Sequence, residues 1–99
     1  MNNQVNNLQT RSYSLEELTA LFAENVIHFV KKLKVDIINR SLIEQVVSSS
    51  GSIGANYCEA NEAESKRDFI HKIGIAKKEV KETQYWLRIL ESSNISFKT

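Results

Sequence analysis

The sequence predicts an all-α protein: an antiparallel up-down bundle of three long helices. Three observations lead there. The chain has no proline and only three glycines in 99 residues, so long helices can run without breakers. Ser14 to Glu17, Ser41 to Glu44 and Ser65 to Asp68 each set a hydroxyl three residues ahead of a carboxylate, a pattern that satisfies free amides at a helix start. After each of these signals, apolar residues recur at spacings of three and four, the period of a helix with one buried face.

The first helix is predicted over about 14–34. Leu15, Leu18, Phe22, Val26, Phe29 and Leu33 fall on one face, which Leu21, Ile27 and Val30 widen. Val35 to Arg40 is β-branched and charged, and the connection is placed there although it holds no strong turn residue.

The second helix, about 41–62, carries two seams. Ile43, Val46, Ser50, Ile53, Tyr57 and Ala60 make an apolar row suited to an ordinary core contact. Beside it Gln45, Ser49, Ser52, Asn56 and Glu59 repeat at spacings of 4, 3, 4 and 3. Such a polar row suits a hydrogen-bonded helix interface, because buried amides and hydroxyls persist only where partners satisfy them. Gly51 and Gly54 lie in a block of small residues with Ser48, Ser49, Ser50, Ser52 and Ala55. Each glycine costs about 1 kcal/mol against alanine in a helix interior, a loss that close approach of another backbone would offset. Glu59 either reaches water or meets a cation from the next helix, with Arg67 and Lys72 as candidates.

After the link Asn61 to Glu64, the third helix is predicted over about 65–91. Phe69, Ile73, Ala76, Val80, Thr83, Leu87 and Leu90 keep a strict 4, 3 repeat, flanked by Ile75, Trp86 and Ile89. That buried arc is wider than a two-stranded coiled coil needs and fits a bundle. A polar arm, 1–13, expected to be disordered, and a short polar tail, 92–99, bracket this 14–91 domain.

Bulk composition narrows the function. With 41% hydrophobic and 25% charged residues and a formal net charge of +1, nothing global demands an acidic partner, so any nucleic-acid affinity must come from charge gathered on one face. A domain this small buries only roughly two-thirds of its unfolded surface, which makes self-association a natural supplement. The single cysteine, Cys58, excludes an internal disulfide and fits a reducing cytosol. No segment reads as a signal peptide or as the roughly 20 apolar residues of a span, so a cytoplasmic protein with no membrane partner is expected.

On the third helix Arg67, Lys77, Lys78, Lys81 and Arg88 share the outer arc with His71 and Tyr85, and no acid shares it. Two readings stand. Lysines and arginines displace counterions from phosphates while an aromatic such as Tyr85 stacks on an unpaired base, or the stripe is a solvated face that keeps the surface wet. Catalysis finds no comparable support. His28 and His71 lie on different helices without ligand-spaced Cys, Asp or Glu, and Glu79 and Glu82 lack the i+3 histidine of di-iron bundles. No nucleotide-binding loop or nucleophile elbow occurs. No enzyme activity, metal or cofactor is expected.

Ser52-Ile53, Asn56 and Glu59-Ala60, then Asp68-Phe69, Ile75-Ala76 and Glu82, carry a resemblance to the four-helix bundle proteins associated with intervening sequences in 23S ribosomal RNA genes. The match covers about 15–90. It departs at Ala60, where that family commonly has glycine, and at Lys78-Glu79, where a Gly-Ser pair is common. The family pattern also implies a bundle of the four-helix type, yet nine residues follow Leu90, so the fourth helix is expected to be missing or supplied in trans. The resemblance implies a homo-oligomer, pentameric in relatives, with a cationic surface for nucleic acid. It extends to the barrel-like accessory proteins of diversity-generating retroelements. The expected function is thus a non-catalytic homo-oligomeric bundle that binds RNA or another nucleic acid through the basic face, the alternative being a structural or protein-binding bundle without such a ligand.

Overall fold

The computed structural model describes residues 13–94. Three helices follow in order, α1 (Leu15–Val30), α2 (Ile37–Asn61) and α3 (Lys66–Ser93), and the described residues form no strand. Most of the predicted polar arm and tail lies outside the described residues, but Ser92 and Ser93 belong to α3 and Asn94 caps it.

Two of the helix starts are made by the expected hydroxyls. Ser14 accepts from the Glu17 amide at 3.1 Å, and Ser65 accepts from the Asp68 amide at 3.0 Å. The third start departs from expectation. α2 begins at Ile37, ahead of Ser41, because the Asp36 carboxylate accepts from the Asn39 amide at 2.8 Å and serves as the N-cap. Ser41 to Glu44 therefore sits inside the helix, a cap pattern with no free amides left to satisfy. α1 in turn ends at Val30 and not near 34. Lys32 and Leu33 bond back three residues, to Phe29 and Val30, at 3.1 Å each, a tightening common at helix ends.

The helices run antiparallel with α2 in the middle, since Ser49 meets Thr83 and Glu59, ten residues on, meets Lys72, while Thr19 lies against Gly54 and Val30 shares the core with Val46. α2 packs against both neighbours, whereas α1 and α3 make no direct backbone approach. The result is a flat layer with extents of 43 × 43 × 18 Å.

Its core lies near the α1–α2 corner. Val26 and Val30 of α1, Leu33 of the corner, Val46 of α2 and Leu90 of α3 form one buried cluster, joined by Leu42, Ile43, Val47, Trp86 and Leu87. The predicted apolar row of α2 is buried at Val46, Ser50, Ile53 and Ala60. Small residues let the helices close up further along. A Cβ built on Gly54 would stand 2.7 Å from Thr19 Oγ1, so glycine is what admits α1 there, while Gly51 faces open space.

The α1 face is only partly covered. Leu18, Phe22 and Phe29 remain 44%, 40% and 38% exposed, because α2 alone packs closely along α1 while α3 stands off across an open gap. With Ile53, Val80, Thr83 and Leu87, Leu18 and Phe22 line a groove of about 340 Å³ between α1 and α3.

Candidate nucleic-acid interface and the polar seam

α3 positions the basic stripe. Ala76, Thr83 and Leu90, spaced by sevens, are its buried residues, which turns the opposite side of the helix to solvent. Arg67, His71, Lys77, Lys78, Lys81, Tyr85 and Arg88 are all exposed on that opposite side. From Arg67 to Arg88 the stripe runs about 31 Å at the helical rise. None of its five lysines and arginines forms an ion pair with a described carboxylate, whereas Lys72, off the stripe, pairs with Glu59. Their charge is therefore available to an external anion. Tyr85 is 57% exposed, and its ring stands edge-on to Trp86 at 5.2 Å between centroids. Because Trp86 packs on the core, that contact steadies an aromatic among the cations.

The polar seam of α2 runs along the flank that adjoins α3, and its members meet different fates. Ser49 is buried, with Oγ 2.9 Å from Thr83 Oγ1, which also lies 2.8 Å from the Glu79 carbonyl oxygen. Two hydroxyls thus satisfy each other across the interface, as burial requires. Ser52 and Asn56 are half-buried, and the Asn56 amide donates to the Ser52 carbonyl of its own helix at 2.8 Å. Gln45 is exposed. Glu59 accepts from Lys72 Nζ at 2.7 Å, which selects one of its two candidate cations. The hydrogen bond and the charge of Glu59 raise the Lys72 pKa, so the lysine stays protonated through the neutral range. With Glu59 largely in water, the pair adds little stability.

Sequence reasoning missed one polar cluster. Asn39, 2% exposed, donates from Nδ2 to the Lys34 carbonyl at 2.9 Å and to Asn94 Oδ1 at 2.8 Å. Its Oδ1 accepts from Ser93 at 3.1 Å and from Asn94 Nδ2 at 2.8 Å. This pairing ties the start of α2 to the end of α3. A signal existed, because extending the apolar row back four residues from Ile43 lands on Asn39. No buried side-chain polar atom among the described residues lacks a partner.

On the α1 side of α2, Glu16, Ala20, Ala23, Gly51, Gly54 and Cys58 line a shallow cleft. Burial, then the charge and hydrogen bond of Glu16, push the Cys58 thiol above its ordinary pKa, the opposite of what a reactive cysteine needs. Among the described residues no three His, Cys, Asp or Glu side chains gather as a metal site would require.

Comparison with known proteins accords with this architecture. A crystal structure of a protein of unknown function from the S23 ribosomal protein family of Bacteroides thetaiotaomicron VPI-5482 is similar, with a TM-score of 0.70 and 34% identity. The similarity covers 81% of this chain and 74% of that one. No curated protein matches. The family model described as 23S rRNA-intervening sequence protein matches residues 11–98, and with nearly the whole sequence inside that match, the chain belongs to this family.

Proposed function

We propose that the protein is a non-catalytic, cytoplasmic, homo-oligomeric helical module that binds nucleic acid, RNA foremost, through the outer face of α3. The observation that carries the reading is the gathering of Arg67, Lys77, Lys78, Lys81 and Arg88 on one exposed face, unpaired with any described carboxylate, in a chain of net charge +1. Segregated charge of this kind supplies phosphate contacts without sequence readout. Tyr85 offers a stacking surface within the same face. The family description, which refers to intervening sequences of 23S rRNA, makes RNA the first ligand to try.

Self-association is supported by the open groove between α1 and α3, whose apolar walls a helix from another copy would cover. Five copies is the number the family resemblance implies. The same groove favours a second reading, in which the bundle holds a protein helix and the basic face only keeps the surface wet.

Fluorescence anisotropy with a structured RNA fragment separates the two. The reading expects K77E/K81E, which reverses two exposed charges, to weaken binding by at least about tenfold while native mass and helix content hold. Unchanged affinity in that variant would remove the phosphate-contact role.

A further inference from the structure

The corner between α1 and α2 carries the most exposed large apolar side chains among the described residues. Val35 is 86% exposed and Ile37 84%, with Ile38 at 58%. Their backbone is pinned. Leu33 is buried in the core beneath them, Asn39 holds the Lys34 carbonyl at 2.9 Å, and Asp36 caps α2. Three aliphatic side chains are thus held outward by a fixed turn.

Lys31, Lys32, Lys34 and Arg40 surround them in sequence, and all four are exposed. Between Glu24 and Glu44 the one acid is Asp36, whose carboxylate is engaged by the Asn39 amide. The Asn39–Asn94 pairing brings the end of α3 to the same end of the molecule, and with it exposed Glu91. The corner is therefore apolar at its tip and cationic around it.

Composition indicates what would cover such a tip. Protein interfaces enrich aromatics, methionine and arginine and deplete lysine, whereas this corner has three lysines and no aromatic. Nucleic acid would take the cations but offers no apolar phase to Val35, Ile37 and Ile38. A bilayer with anionic headgroups supplies both, an acyl boundary for aliphatics and a negative surface potential for lysines.

We propose that this corner docks on an anionic lipid surface, with Val35, Ile37 and Ile38 entering the headgroup boundary and Lys31, Lys32, Lys34 and Arg40 meeting lipid phosphates. Attachment is peripheral, since no described helix is long and apolar enough to cross a membrane. The sequence-based expectation of no membrane partner rested on the lack of a span, which does not bear on peripheral docking.

Co-sedimentation of the full chain with vesicles tests the proposal. At low salt the protein should pellet with phosphatidylcholine vesicles containing phosphatidylserine and stay in solution with phosphatidylcholine alone. V35S/I37S should lower partitioning by at least about tenfold through lost apolar burial, and K31E/K34E by a similar factor through lost attraction. These side chains stand in solvent, so circular dichroism should be unchanged. K77E/K81E should still pellet and V35S/I37S should still bind RNA, which keeps this test separate from that of the α3 face. Four results would each overturn the proposal: no partition into anionic vesicles, equal partition into neutral ones, wild-type partition by V35S/I37S, or a changed native mass in V35S/I37S, which would mark the corner as a contact between copies.

Discussion

Replacing Gly54 by alanine should fail to stabilise the protein, whereas the same change at Gly51, one turn earlier on α2, should succeed. Alanine gains about 1 kcal/mol over glycine within a helix. At Gly51 nothing lies within 4 Å of the added Cβ, so the gain should appear in full. At Gly54 the Cβ would meet Thr19 Oγ1 at 2.7 Å and Thr19 Cβ at 3.0 Å. Thr19 cannot swing aside freely, because its hydroxyl donates to the Glu16 carbonyl at 3.0 Å. Overpacking of this kind costs about 1–3 kcal/mol, which cancels or exceeds the propensity gain. Urea unfolding followed by circular dichroism should therefore separate G51A from G54A by about 1–3 kcal/mol, or several degrees in Tm for a domain of this size. In a T19A background the G54A penalty should shrink, since the nearer of the two contacts is gone. If G54A stabilised the protein as much as G51A, the close approach of α1 to α2 would be wrong.

Three further outcomes follow from the interior. N39A should lower stability by about 2–4 kcal/mol in chemical denaturation, because it strips partners from Lys34, Ser93 and Asn94 together. T83V should cost about 1–2 kcal/mol by leaving the buried Ser49 hydroxyl with a 3.4 Å contact to the Val46 carbonyl, and S49A/T83V should cost less than the sum of the single changes. Cys58 should alkylate slowly at pH 8, and E16Q should speed the reaction by removing the charge and hydrogen bond that help raise the thiol pKa.

Much of the fold is written in local chemistry. Ser14 and Ser65 mark helix starts because each hydroxyl accepts from the backbone amide three residues on, and the α2 row from Ile43 to Ala60 marks a contact face. The start of α2 was masked because Asp36 is followed three residues later by Asn39, while Ser41 and Glu44 imitate a cap within the helix. Periodicity showed that α1 is amphipathic but not how many neighbours it meets, so Leu18, Phe22 and Phe29 looked like core and instead stay partly exposed, Leu18 and Phe22 along an open groove. The cations of α3 were legible as one face because wheel position depends on spacing alone. The exposure of Val35 and Ile37 was not, since β-branched residues in a connection carry no sign of whether the turn points inward or outward.

The counterion slope of RNA binding tests the central claim most directly. Five phosphate contacts from Arg67, Lys77, Lys78, Lys81 and Arg88 should make log affinity fall against log salt with a slope of about −3.5 on single-stranded RNA. K77E/K81E should flatten that slope by at least about 1.4. A wild-type slope near zero, or a slope identical in K77E/K81E, would contradict the assignment of the α3 face to phosphate.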